Sequence, residues 1–126
     1  AAEPWWLALA IGFWVGGFDV LYACQDVDFD RAHGLHSIPA RYGVSRAIHL
    51  SRLLHVCTIV AMAMVGVTAD LPPVYFAGVV VVAVLLWYEQ SLVAADDLSQ
   101  VKRAFDLNGY VGILYFLTTA VSLYVD

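Results

Sequence analysis

The chain has 126 residues, 62% of them hydrophobic and only 13% charged, with a formal net charge of -5. Its mean hydropathy is +0.77, and so small a body in water needs more polar surface than these side chains can provide. A soluble domain is excluded, and the few basic residues form no patch that suits nucleic acid.

The apolar residues fall into four runs. The first, Pro4 to Phe18, is free of charge and continues through the lone Asp19 to Cys24. Leu53 to Ala69 follows, apolar apart from His55 and two threonines, and then come Leu71 to Tyr88 and Leu107 to Val125, both uncharged. A bilayer core ~30 Å thick needs ~20 helical residues, and each run reaches that length with its flanks. Lipid offers no partner to unpaired backbone groups, so each run is predicted to be a helix. The β-branched stretch Val79 to Val84 does not override this.

In chain order, a first helix is predicted from about Pro4 to Phe29, and then a polar loop from Arg31 to about Gly43. A second helix runs from about Val44 to Val67 with Ser45 as its cap. A third starts at Pro72-Pro73, where first-turn N–H groups lack partners anyway, and ends near Ala94. After a short loop, Ala95 to Gln100, a fourth helix covers about Val101 to Tyr124. The fold class expected is all-α, a multispanning transmembrane bundle with four spans in this chain. All six basic residues lie in two loops: Arg31, Arg41, Arg46 and Arg52 after the first span, Lys102 and Arg103 before the last. The positive-inside rule then puts both loops in the cytoplasm and both termini outside.

The first span breaks its apolar pattern at its cytoplasmic end, in Asp19-Val20-Leu21-Tyr22-Ala23-Cys24-Gln25-Asp26-Val27-Asp28-Phe29-Asp30. On one continuous helix Asp26 and Asp30 are i and i+4 neighbours, and Asp19 lies two turns earlier on the same face, with Tyr22 between. Like charges so placed repel, and an acid inside the membrane is costly. A divalent cation relieves both, and Mg²⁺ commonly binds through one or two carboxylates plus substrate phosphates. The following loop supplies cations, with Arg31, His33, His36, Arg41 and Arg46 around Gly34 and the Ser37-Ile38-Pro39 turn. Arginines pair with diphosphate oxygens in a bidentate way. These basic residues also suffice to set topology, and His33-xx-His36 alone is a weak zinc signal.

The stretch from Asp19 to Gly43 resembles the second Asp-rich motif of the UbiA family of prenyltransferases, DxxYAxxDxxxD followed by a Gly-x-basic-Ser turn. Tyr88-Glu89-Gln90-Ser91-Leu92-Val93 with Asp96-Asp97-Leu98-Ser99 resembles the 4-hydroxybenzoate polyprenyltransferase-like branch linked to quinone biosynthesis. Arg103-Ala104-Phe105-Asp106-Leu107-Asn108-Gly109-Tyr110 resembles the start of that family's final helix. The resemblance implies transfer of a polyprenyl group from a polyprenyl diphosphate to an aromatic acid. Mg²⁺ helps the diphosphate leave, and the ring attacks the allylic cation. It assigns Asp26 and Asp30 to Mg²⁺ and catalysis, and Asp19, Tyr22, Arg31, His36, Ser37, Arg41 and Asn108 to substrate. His36 stands where relatives often carry Lys, so its role depends on protonation.

The family's first Asp-rich motif, NDxxDxxxD, is absent from this sequence. Residues 1–126 are therefore expected to be the C-terminal part of one membrane-embedded domain, half of a larger bundle. The missing N-terminal half of the same protein would be its partner, and this chain alone would be inactive. The expected location is a bacterial inner membrane with the site facing the cytoplasm. Two other functions compete. A divalent-cation membrane carrier needs polar residues midway through other spans, which helices three and four lack. A non-catalytic membrane subunit leaves three acids on one face unexplained. Among smaller features, Gly12-xxx-Gly16 is expected to pack against a helix. His55 is expected to be a satisfied packing residue, and Glu89 either snorkels or lines the pocket. Cys24 and Cys57 are isolated and read as reduced filler.

Overall fold

Backbone groups that cannot turn to water are satisfied within helices, and the computed structural model, which describes residues 1–125, contains helices and no strand among them. The first run forms α1 (Glu3–Ala23), with Pro4 in its first turn. It gives way to a 3-10 turn at Cys24–Asp26 and then to α2 (Val27–Ala32). The single helix expected to Phe29 is thus interrupted. Asp favours helix interiors poorly, and like charges a turn apart repel; the acid-rich stretch tightens where it leaves the apolar run.

The loop expected from Arg31 to Gly43 contains a short helix, α3 (Ile38–Tyr42). Ser37 caps it, its Oγ accepting from the Ala40 N–H at 3.2 Å, and Pro39 fits the first turn. Next comes α4 (Val44–Thr68), preceded by Gly43 at φ 95°. That left-handed conformation is available to glycine at little cost. The helix start is therefore fixed by backbone geometry at Gly43, and Ser45 sits one residue inside without capping. The third apolar run forms α5 (Pro73–Ser91), which stops three residues short of Ala94. The last forms α6 (Val101–Ser122). Four segments are long and apolar enough to cross a membrane: Glu3–Ala32, Val44–Thr68, Pro73–Ser91 and Val101–Ser122.

The principal contacts join α1 to α4 and α5 to α6, while the seam between α4 and α5 is thinner. One core gathers Met62, Tyr75, Val82, Leu86 and Val111. The other, toward the basic loops, gathers Phe18, Leu21, Ala47, Ile48, Val101 and Ala104. Close approach of α1 to α4 depends on Gly17, where a Cβ would meet His55 Cδ2 at 2.5 Å. Gly12 and Gly16, expected to pack, have no neighbour within 4 Å of a Cβ in this bundle. They lie on the open side of α1, and Gly17 takes the packing role.

Residues 92–100 tie α5 to α6. Ala94 and Asp97 exchange two backbone hydrogen bonds of 3.0 Å. Asp97 Oδ1 also accepts from the Ser99 N–H at 3.0 Å and the Ser99 O–H at 2.6 Å. Those two donors hold the Asp97 carboxyl below the usual carboxylate range. Asp97 thereby locks a turn, the ordinary task of an Asx side chain in a loop.

Candidate functional site

Helix α1 has two faces with different chemistry. Its back lies against α4, where the Ser51 hydroxyl donates to the Gly17 carbonyl at 2.6 Å. Asp19 is two residues beyond Gly17, about 200° around the helix, and it is exposed on the front. Tyr22 is exposed on α1 as well, and its ring packs near Phe18 at 5.8 Å and near Phe105 of α6 at 6.1 Å between centroids. Phe18 and Phe105 meet at 5.7 Å. An aromatic wall therefore stands beside the first acid.

Further along α6, Asn108 Oδ1 accepts from Trp14 Nε1 at 2.8 Å. This bond crosses from α6 to α1 and holds the floor of a groove of about 330 Å³ lined by Trp14, Phe105, Asp106, Asn108, Tyr110 and Ile113. Bonding at its oxygen leaves the Asn108 amide nitrogen free to donate. The sequence pointed to Asn108 but missed Trp14 and Phe105. Phe105 had a signal in its spacing from Asn108, since residues i and i+3 share a helix face; Trp14 had none.

Asp26 is exposed at the end of the 3-10 turn, and Asp30 is half-buried on α2. Asp26 has φ -101° and ψ 9°, outside the regular helix, and its carboxylate makes no capping bond to α2. Neither carboxylate pairs with a basic side chain among the described residues. The acids do not form a closed protein cage: no three Asp, Glu, His or Cys groups converge on one point among the described residues. Carboxylates that are accessible and unpaired suit Mg²⁺, which takes one or two such ligands and completes its shell with phosphate oxygens and water.

The basic loop folds back beside them. Arg31 donates to the Ala40 carbonyl at 3.0 Å and the Pro39 carbonyl at 3.5 Å, bracing α2 against α3. Arg41 lies over the Tyr42 ring at 5.5 Å and is exposed, as is His36. Ser37 spends its oxygen on the α3 cap and keeps its O–H. His33 Nδ1 lies 2.9 Å from the Phe29 carbonyl, to which it donates, and the ring stacks on that of Phe29.

A model of the UbiA prenyltransferase family matches residues 1–119. The chain belongs to that family. It is 31% identical over 119 residues to the 4-hydroxybenzoate octaprenyltransferase of Photobacterium profundum, covering 94% of this chain and 41% of that protein. The corresponding protein of Marinobacter nauticus is 35% identical over 120 residues, covering 94% of this chain and 40% of that protein. Among solved structures, the apo form of a UbiA homolog from Aeropyrum pernix K1 superposes with a TM-score of 0.82 at 31% identity, covering 95% of this chain and 42% of that one. This UbiA-family chain thus spans about two fifths of the length of the relatives it matches. Four apolar spans and this membership make it an integral membrane protein.

A second polar group lies behind α1, and of its members the sequence reading covered His55 and Glu89 but not Ser51 or Gln90. Gln90 Nε2 donates to Ser51 Oγ at 2.8 Å and to His55 Nδ1 at 2.9 Å, while His55 Nε2 meets the Trp14 carbonyl at 3.3 Å. With its proton on Nε2, the His55 ring satisfies both contacts, as a packing residue should. Glu89 neither snorkels nor lines a groove: it is completely buried, 3.8 Å from His55 Nδ1, and neither oxygen has a hydrogen-bond partner. The helical register decides this, because Leu86 and Glu89 share the face of α5 turned inward. Spacing of three residues from a core Leu was the signal available in the sequence.

Proposed function

We propose that the full-length protein to which this chain belongs transfers a polyprenyl group from a polyprenyl diphosphate to an aromatic acid of the 4-hydroxybenzoate type, in quinone biosynthesis. The observation that carries this is a face of a UbiA-family chain on which Asp19, Tyr22 and Asp26 stand exposed and unpaired. Ionisable side chains within membrane spans commonly mark a substrate or ion path, and Asp19 and Asp26 lie open rather than bonded inside the protein. The names of the relatives supply the acceptor class.

Asp26 and Asp30 would hold Mg²⁺, which when bound neutralises the diphosphate and makes it a better leaving group. Arg31 and Arg41 bind diphosphate oxygens, and His36 does so when protonated, supported by the Ser37 hydroxyl. The Tyr22 ring presents its negative face to the developing positive charge of the allylic carbon. Asn108 donates from its free nitrogen and orients the aromatic acceptor. Asp19 takes a place at the same mouth, where it attracts the cation. The basic loops face the cytoplasm, by the positive-inside rule, and the membrane is read as a bacterial inner membrane. The remaining acids of a two-motif site come from the rest of the full-length protein, so the proposal concerns that protein.

Full-length protein carrying Asp26→Asn or Asp30→Asn, assayed with Mg²⁺, a polyprenyl diphosphate and 4-hydroxybenzoate, should lose prenyl transfer by about 10²-fold or more. Membrane insertion should be unaffected. Turnover unchanged in both variants would overturn the assignment.

A further inference from the structure

The Trp14 indole meets α6 at two residues of one helix face. Its Nε1–H donates to Asn108 Oδ1 at 2.8 Å. One turn along, on the same face, its outer edge takes the space beside Gly112. A Cβ at Gly112 would stand 2.7 Å from Trp14 Cη2 and 3.3 Å from Cζ2, inside the about 3.5 Å at which carbon atoms make contact. Gly112 serves no turn or cap, since it lies within α6, and glycine inside a helix is less favourable than alanine. The missing side chain serves the ring.

Trp14 cannot make room by moving its backbone, because α4 pins α1 from the other side. The Ser51 hydroxyl donates to the Gly17 carbonyl at 2.6 Å, and His55 Nε2 meets the Trp14 carbonyl itself at 3.3 Å. Gly17 has no space for a Cβ beside the His55 ring. Anything placed at Gly112 therefore displaces the indole. An indole N–H only donates, so the amide atom of Asn108 that faces it has to be the oxygen. The nitrogen is left to the groove that Asn108 lines with Trp14, Phe105 and Tyr110.

We infer that Gly112 is a positioning residue for prenyl transfer: by leaving space for the Trp14 ring, it sets the Asn108 amide with its nitrogen toward the aromatic acceptor. This rests on the function proposed above, and within it on the contact between Asn108 and the acceptor. With the space filled, the ring swings off α6, its N–H leaves Asn108, and the amide is released to turn. An amide oxygen in the groove repels an oxygen of the acceptor, which the nitrogen binds. Gly112 acts through Trp14, so its effect falls on the acceptor. The diphosphate is held by the acids and arginines beyond the end of α1 and is unaffected.

The test uses full-length protein carrying Gly112→Ala. Ultraviolet resonance Raman spectroscopy reads the Trp14 N–H as the difference between each protein and its Trp14→Phe counterpart. Prenyl transfer is assayed with Mg²⁺, a polyprenyl diphosphate and 4-hydroxybenzoate. Gly112→Ala should shift the Trp14 band to that of unbonded indole and raise KM for 4-hydroxybenzoate about fivefold, the effect of one neutral hydrogen bond. The kcat and the KM for polyprenyl diphosphate should not change, the pattern of a lost binding contact. In a Trp14→Phe background the same substitution should add nothing, because the shorter ring no longer reaches Gly112. Asn108→Asp should keep the band, one oxygen accepting from Trp14, while the other oxygen faces the groove and raises KM for 4-hydroxybenzoate. An unaltered band in Gly112→Ala would overturn the inference. A shifted band with an unaltered KM would overturn it too, leaving Gly112 a packing residue. The band needs no substrate: a shift in a protein that transfers no prenyl group would place the failure in the proposed function, and this inference would fall with it.

Discussion

The two sides of α1 hold similar numbers of polar groups and treat them differently. On the back, Gly17, Ser51, Gln90 and His55 bond one another in an unbroken chain. On the front, Asp19 and Tyr22, and Asp26 in the turn that follows, are exposed, and the Tyr22 ring lies beside those of Phe18 and Phe105. Polar groups closed among themselves hold helices together in lipid, where they can contribute about 0.6 kcal/mol each. Polar groups left open contribute little to the fold and remain available for chemistry. The contrast separates scaffold from site within one helix.

Five substitutions probe that separation, from the largest effect to the smallest. The first compares two readouts: Asp26→Asn should remove activity by about 10²-fold or more while leaving resistance to thermal unfolding in detergent unchanged. A parallel loss of stability would place Asp26 in the scaffold. On the back face the expectation reverses. Gly17→Val forces a side chain into the His55 ring and should cost about 1–3 kcal/mol, read by unfolding in increasing denaturing detergent. Gln90→Leu strips Ser51 and His55 of their shared donor and should cost about 1–2 kcal/mol. Trp14→Phe, which loses the bond to Asn108, should cost about 0.6 kcal/mol and weaken acceptor binding more than it weakens the fold. Glu89→Gln is the control beside Gln90, since it removes an acid that bonds nothing and should keep or raise stability.

Much of the fold was legible because the bilayer allows so few solutions. Long apolar runs have to be helices, and the four spans appear where the runs lie. Boundaries were less legible, and each miss has a local cause. Ser45 looks like a cap, yet the left-handed backbone at Gly43 fixes where α4 begins. The acids after Ala23 fit a continuous helix by spacing, but their repulsion and poor propensity yield a 3-10 turn. Among the candidate residues, Asp19 and Tyr22 are conspicuous in the sequence because polar groups stand out against an apolar run. Trp14 was hidden because aromatics are ordinary in such runs, and Phe105 because it stands among charged residues before the last run begins. Glu89 was misjudged because its position near a helix end suggested reach to water, while its register turned it inward.

The tie between α5 and α6 affects how this protein's topology can be measured. The segment from Ala94 to Ser99 is largely exposed, yet its amides at Ala94, Asp97 and Ser99 are all engaged. Proteases need an extended, pliable stretch, and hydrogen exchange needs free amides. Cleavage would under-report this exposed loop, so a map of this membrane protein built on cleavage alone would leave residues 94–99 unassigned. Cysteine labelling at Asp96, which needs only exposure, would place them correctly.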